Sequence, residues 1–513
     1  MKPTQFIAIA ALWASGASTF PFNTFDGPGF PACNDVSAVY NATSVSEMVS
    51  LVQEASTNNT PVRAAGKGHM WYDTMCSSSS QSTTIIRTEF VNAIANFSLP
   101  EEAESGTVVV EAGVTFFQLA DYLHERGASM GYTLVNWNIT LAGAVAMGAH
   151  RSSLKEEANV AAGVLEMDII DGNGNLRTVV RDEGSETWHA ASTSLGLLGI
   201  IARMKVKVYR DEKVYAMQDT YDEADILDAD LEAMIAPYPT ANFWWWPYMR
   251  KFHHRYYDVI PTNSSSQEGF QSTFSVTEIE GAAAKAILES GKYLPASNWL
   301  AETIFFSLWE SPNFHEKSTN EEIAEWPVYG WNHDVLIGGL YPDQKPEWDY
   351  DLHGYTLELA VPMSQANALL KRVRELFDDE ILKGFVMAST YRSGINIKFG
   401  KAYFDFLGQT TYGSAVSGGE GWKGGVMMFD FPSYHPTSGD GLRYNEEFYH
   451  NLATTLIDEF PVRPHWTKNT REVFEQAKKN LDPDYIARFR AVREDFDPNG
   501  IFKSVVGEII GLY

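Results

Sequence analysis

Residues 61–73 read PVRAAGKGHMWYD and hold the most chemically suggestive spacing in the chain. Pro61–Ala65 reads as a short strand that runs into Gly66-Lys67-Gly68, and two glycines let successive backbone N–H groups turn toward an anion. Lys67 adds positive charge. The natural guest of such a loop is a dinucleotide pyrophosphate, and His69 at its mouth offers an imidazole that can bond covalently to a flavin. An ordinary glycine turn beside a hydrogen-bonded histidine is the plainer reading. A second segment, TLAGAVAMGAH at 140–150, places small residues at Ala142, Gly143, Ala144, Ala146, Gly148 and Ala149, so a flat or charged group can approach its backbone. Tight helix–strand packing uses the same residue types, but two such segments in one domain favour a large cofactor.

The elements that must position these residues follow from hydrophobic periodicity. Thr43–Thr57 reads as a helix, with Ser44 or Ser46 as cap and Met48, Leu51, Val52 and Ala55 on one face. Thr83–Arg87 and Thr107–Glu111 read as strands, and Phe116–Arg126 as an amphipathic helix stopped at Gly127. Val164–Asp171 and Leu176–Arg181 flank the turn Asp171-Gly-Asn-Gly-Asn175, a hairpin signal, and Ile200–Tyr209 alternates as a strand. Beyond about residue 215 the chain turns to aromatic-rich strands at Phe243–Trp246, Tyr355–Val361, Ile395–Phe399, Tyr403–Leu407 and Val426–Phe431, interleaved with helices such as Ser364–Phe377. The predicted class is α+β, the second part being an antiparallel sheet with helices on one side.

Several chemistries lack their usual signatures. The sequence has no HExxH, CxxC pair, GxSxG or GxxxxGK[ST], and its literal GxGxxG at Gly419–Gly424 precedes a strand instead of opening a helix. The neighbours His253 and His254 have no accompanying ligand pattern, so no metal is expected. With 66 acidic against 39 basic residues the formal charge is −27, which disfavours nucleic acid and anionic membranes as partners. At 44% hydrophobic and 20% charged, the 513 residues are enough for a real core and unlike a disordered chain.

The first residues, MKPTQFIAIAALWASGASTF, have one lysine, an apolar run at Phe6–Ala14 and small residues after it, the layout of a secretory signal ending near Ala17 or Ser18. Sequons at Asn41, Asn58, Asn96, Asn138 and Asn263 are compatible with glycosylation. The two cysteines, Cys33 and Cys76, can pair in an oxidising compartment or leave Cys76 as a buried thiol.

Taken in order, RAAGKGHMWYD, VEAGVTFFQLADYLHERG, TLAGAVAMGAHRSS, EMDIIDGNGNLRTV and STSLGLLGIIARMKVKV resemble the FAD-binding half of the vanillyl-alcohol-oxidase superfamily. NFWWWPYMRKF, LELAVP, RPHWTKN and DFDPNGIF narrow the resemblance to the sugar-1,4-lactone oxidases (arabinono-, gulono- and galactonolactone enzymes) and alditol oxidase. It covers about residue 35 to the C-terminus. The division it implies is a signal segment at 1–18, a two-subdomain FAD-binding domain at 35–212, a substrate domain at 213–460 and a C-terminal helical segment at 461–513 returning to the flavin.

The resemblance assigns roles by position. His69 matches the histidine bonded to the flavin 8α-methyl group, and Gly66, Lys67, Gly68 and Met70 match the pyrophosphate loop. Gly143, Ala144 and Gly148 match the segment along the isoalloxazine and ribityl chain, and Gly199 and Ile201 the strand near the adenine. Lys468, in His465-Trp-Thr-Lys468, matches a lysine at the flavin N1–C2=O edge, where a fixed ammonium stabilises the anionic reduced flavin. Leu134 aligns where a small residue often admits oxygen.

One departure bears on the substrate. Where the family carries Glu-x-Arg on an active-site strand, GINIKFGKAYFDF places Asn396 and Lys398, a neutral amide and a point charge. Asn cannot take a proton, so Glu358, His465 or a neutral Lys398 becomes the candidate acceptor. In Trp244-Trp245-Trp246 the outer two share a face, which packs in the core or lines a substrate pocket. The implied activity is a secreted FAD-dependent oxidoreductase moving hydride from a hydroxyl-bearing carbon of a sugar lactone, polyol or similar alcohol to covalent flavin. Molecular oxygen is the expected acceptor and hydrogen peroxide the product. A tailoring oxidase or dehydrogenase of a lipophilic secondary metabolite, and a secreted binding protein that has lost the chemistry, are the alternatives.

Overall fold

The computed structural model describes residues 19–23, 32–131, 138–272, 275–290, 296–339, 345–346, 354–382, 394–416, 418–434 and 446–513. The signal segment expected at 1–18 and the position of Leu134 lie outside them.

A small sheet runs in the order Phe20–Asn23, Ala32–Asn41, Thr83–Arg87, Val62–Ala65, the last three strands parallel. Parallel neighbours need a crossover, and the helix Val45–Asn58 provides one. Ser44 caps it by accepting from the Glu47 N–H, and Met48, Val52 and Ala55 turn inward. Cys33 and Cys76 form a disulfide that ties the second strand to the loop after His69, so Cys76 is not a free thiol.

An antiparallel sheet follows, ordered Leu176–Val180, Val164–Ile170, Ile200–Arg210, Ser105–Glu111, Ile94–Ser98. The expected hairpin turns on Asp171, whose Oδ1 accepts from Asn173 and Asn175 while Gly174 takes φ +77°. The helix Phe116–His124 opens with a reciprocal Thr115–Gln118 capping box. One apolar core joins both small sheets to the C-terminal segment, since Val110, Leu119, Ile169 and Met204 share it with Phe489, Phe496 and Phe502.

The third sheet holds nine strands among the described residues. Its order is Val328–Trp331, Lys213–Asp222, Lys251–Ile260, Thr240–Trp246, Ile395–Lys401, Val426–Tyr434, Gly354–Pro362, Arg463–Pro464, with Ser153–Glu157 lying against Ile395–Lys401. Side chains alternate between faces with period two. Phe243, Trp245, Ile395, Ile397, Phe399, Leu357, Leu359, Phe429 and Phe431 therefore point to one side, where they pack on Leu370, Val373 and Phe377 of the helix Ala366–Leu382 and on Leu452 and Leu456 of the helix Glu446–Glu459. The intervening positions turn to the other side, where Asn396, Lys398 and Asp430 face the first half of the molecule and Trp246 packs on Phe306 and Trp309.

Tyr403–Leu407 is not a strand, although its aromatic alternation suggests one. Asp405 in its middle is wholly buried and accepts from Thr193 Oγ1, Asn159 Nδ2 and the Gly408 N–H, which folds the segment around the carboxyl group.

Candidate active site

A cavity of about 310 Å³ lies between the loop 66–72, the helix Leu141–Ala146, the polar face of the large sheet and the C-terminal His465–Lys468. A smaller one adjoins it and shares Arg63, Ala64, Gly66, Thr140, Gly143 and Met147 with the first. It reaches Gly196, Gly199 and Ile201, so the two together form an elongated slot.

The glycine loop meets the tail directly. The Trp71 N–H donates to the Thr467 carbonyl and the Tyr72 hydroxyl to the Thr356 carbonyl, while Arg471 forms an ion pair with Asp73. His69, Gly66, Lys67, Gly68 and Met70 line the larger cavity, as do Gly143 and Ala144. Gly66 is needed for space, because a Cβ there would overlap the Thr140 side chain, and Gly68 for its φ of +71°. Burial, with Lys468 as a second cause, lowers the His69 pKa to about 3, so its imidazole is neutral at ordinary pH. Gly148 does not line either cavity. Its φ is +65° and a Cβ would press on Thr193, which makes it a turn residue after the helix.

The register of the large sheet sets one row of side chains across four strands. Trp244 pairs with Asn396, Asn396 with Asp430, and Asp430 with Glu358. Lys468 reaches over this row, its Nζ 2.7 Å from Glu358 Oε2 and 2.6 Å from Asp430 Oδ2. Burial works against the Lys468 charge, but Asp430 and Glu358 outweigh it and push the pKa up, so a solvated lysine is excluded.

Glu358 is a correction to the candidate acceptors. Its side chain has no exposure and does not line the cavity. It accepts from His150 Nε2 at 2.6 Å, from Gln409 Nε2 at 3.0 Å and from Lys468, so both of its oxygens are engaged. Burial opposes its charge, yet His150, Lys468 and His465 together hold its pKa well below the usual range. His465 does line the cavity, but its Nδ1 accepts the Thr467 N–H and burial lowers its pKa to about 3. Lys398 and Asn396 also line it, the Asn396 Oδ1 accepting from Asn242 Nδ2.

Sequence reasoning missed His150 and Asp430. His150 ends the small-residue run and stands edge-on to His465, with ring centroids 5.5 Å apart. Asp430 was readable as the polar alternate in VMMFDF, and it is the carboxylate that lines the cavity. His150, Glu358 and His465 have the donor set for a metal ion. The Lys468 ammonium and the Gln409 amide already occupy the Glu358 oxygens, so a cation there would meet a fixed positive charge. Trp244 and Trp246 pack on Phe305, Phe306 and Trp309, and Trp244 also borders the cavity, so this face serves both uses.

Known proteins resemble the chain in both sequence and fold. An FAD binding domain model matches residues 36–179, and a D-arabinono-1,4-lactone oxidase model matches 425–508. A solvent-stable cholesterol oxidase shares the fold with a TM-score of 0.71 at 14% identity, covering 96% of this chain and 97% of its own. A VAO-type flavoprotein from Myceliophthora thermophila gives 0.59 at 12% identity, over 91% of this chain and 78% of its own. In sequence, Probable L-gulonolactone oxidase 6 of Arabidopsis thaliana is 22% identical over 94% of this chain and 80% of its own length. A putative D-arabinono-1,4-lactone oxidase of Neurospora crassa is 22% identical over 90% of this chain and 80% of its own. The chain thus carries a segment matching an FAD binding domain and shares its fold with these oxidases and flavoproteins. In sequence it is similar to gulonolactone and arabinonolactone oxidases over most of its length, at 22% identity.

The slot suits FAD. Small residues (Ala64, Ala65, Gly66, Gly143, Ala144) leave room along it, and Gly199, with φ +137°, lets the backbone pass where a Cβ would strike the Ile170 carbonyl.

Proposed function

We propose that this protein oxidises a CH–OH group of a small polar molecule, with molecular oxygen as electron acceptor and hydrogen peroxide as product. The observation that carries the reading is the single cavity bounded by the His69 loop at one wall and by Lys468 with its two carboxylates at another. FAD, when bound, accepts the hydride of the carbinol carbon and hands two electrons to oxygen.

The chain's own residues position and neutralise. His69, neutral through burial, keeps the lone pair that a bond to a flavin methyl carbon requires, which supports it as the covalent tether. Lys468 fixes a positive charge on the cavity wall before any substrate arrives, which is electrostatic preorganisation. Asp430 receives the hydroxyl proton as hydride leaves. It is held by Lys468 and by the Thr356 hydroxyl, and it stands beside Asn396, where the family carries its glutamate.

Secretion belongs to the same proposal. The N-terminal apolar run, the Cys33–Cys76 disulfide and the exposed sequons Asn41, Asn58, Asn96 and Asn263 support it. No helix among the described residues is long and apolar enough to cross a membrane.

The test is a visible absorbance spectrum before and after acid precipitation, then peroxide detection with a panel of polyols, lactones and sugar acids. A colourless protein from a flavin-replete host would refute the proposal.

A further inference from the structure

Four cations line the cavity: Arg63, Lys67, Lys398 and Lys468. Three are matched. Arg63 donates to the carbonyls of Met75, Leu195, Gly196 and Phe502. Lys67 pairs with Glu89 at 3.2 Å, and Lys468 holds both Asp430 and Glu358. Lys398 has no ion pair or hydrogen bond among the described residues, and the two carboxylates nearest it along the sheet are both taken by Lys468.

Lys398 is half-buried on the cavity wall, and an ammonium partly withdrawn from water gains from a bonded acceptor that a ligand brings. Lys398 stands two residues along the strand from Asn396, on the same face, and both look into the cavity. The pair carries one net positive charge. Burial lowers the Lys398 pKa, with Lys468 as the second cause, and a bound anion reverses that effect.

We infer that Lys398 is the anchor for a substrate carboxylate, so that the alcohol this enzyme oxidises is a hydroxycarboxylate of the sugar-acid class. The chemistry balances simply: the carbinol C–H leaves as hydride to the flavin, the O–H proton passes to Asp430, and the carbon becomes a carbonyl. The carboxylate is unchanged and serves only to hold the molecule. Trp244, Asn396 and Asp430 form one row beside the anchor, which places the carbinol next to the proton acceptor. A neutral polyol of the same length can hydrogen-bond to Lys398 but cannot offset its charge. The inference rests on the FAD-linked oxidation proposed above and narrows its substrate.

The experiment compares gluconate with sorbitol, which differ at one terminal carbon, using anaerobic flavin bleaching and aerobic peroxide release by the holoenzyme. The expected kcat/KM ratio of gluconate to sorbitol is about 100 at neutral pH, the scale of one charged hydrogen-bonded contact. Lys398→Gln should bring that ratio to about 1 through the KM for gluconate, and Lys398→Arg should keep most of it. Glutarate, which has no carbinol to oxidise, should perturb the flavin spectrum of the unmodified enzyme and compete with gluconate, a readout that does not need a folded variant. Equal constants for gluconate and sorbitol, a ratio unmoved in Lys398→Gln, or a flavin spectrum indifferent to glutarate each overturns the inference while leaving the oxidase intact. A protein without flavin overturns the underlying reading, and this one with it.

Discussion

Glu358 and Asp430 stand opposite each other on adjacent antiparallel strands and share one ammonium, that of Lys468, at 2.7 and 2.6 Å. Directly opposed like charges destabilise a sheet unless a counter-charge sits between them. Lys468 is that counter-charge, and the two carboxylates differ in what else they meet. Glu358 is sealed from the cavity and Asp430 is 14% exposed toward it.

Lys468→Met should therefore destabilise the fold by about 3–5 kcal/mol, the usual result of leaving buried charges unpaired. Adding Glu358→Gln to that variant should restore part of the loss. Denaturant melts of the two variants and the parent decide it, and a Lys468→Met protein as stable as the parent defeats the argument.

The same asymmetry separates the carboxylates in kinetics. Asp430→Asn should keep its flavin but reduce kcat by about 100-fold, the typical effect of removing a proton acceptor. Glu358→Gln should act first on stability, because it weakens the contacts that the Glu358 carboxylate makes with His150, Gln409 and Lys468. Rapid-reaction flavin reduction in both variants provides the measurement. Full-rate reduction in Asp430→Asn assigns the proton to another group.

His69→Ala should yield protein whose flavin is released by acid, whereas the parent retains its colour in the precipitate. The neutral imidazole facing the cavity is the basis. Acid-stable flavin in the variant removes His69 as tether.

Asp405 supplies a pH signature away from the chemistry. Burial raises its pKa to about 6, against the hydrogen bonds from Thr193 and the Gly408 N–H and the charge of Arg463. The folded protein thus keeps this proton to about pH 6 while the unfolded chain releases it near 4. The folded state binds more protons across that window, so this site's contribution to stability falls as pH rises from about 4 to 6. Asp405→Asn, which does not titrate, should gain stability relative to the parent over that interval in thermal melts. Parallel melting curves from pH 4 to 7 would contradict this.

The Cys33–Cys76 link closes a 43-residue separation, which in the chain-entropy account is worth about 4 kcal/mol. The Cys33→Ser/Cys76→Ser double variant should melt at a clearly lower temperature than the parent in the absence of reductant. An unchanged melting temperature would show that the surrounding sheet alone carries the segment.

Much of this was legible from residue order. The glycine loop, the capped helix at Val45–Asn58, the Asp171 hairpin and the Trp244–Trp246 alternation all depend on neighbours within a few positions, where spacing speaks directly. Depth and register do not. Glu358 and Asp430 are equally visible as polar breaks in apolar strands, yet only pairing across the sheet shows that one is sealed and the other faces the cavity. Tyr403–Leu407 alternates like a strand, but Asp405 finds its partners 212 and 246 residues away, at Thr193 and Asn159, and that long-range network decides its shape. Gly148 looked like a cofactor contact because a left-handed turn and a close approach both call for glycine.

The helix-backed sheet has a consequence for how such an enzyme changes over time. Ile395, Ile397 and Phe399 anchor their strand in oil, so Asn396 and Lys398 between them can be exchanged without disturbing what keeps the strand in place. Preference for one metabolite over another thus becomes a trait separable from folding, open to selection one alternate letter at a time.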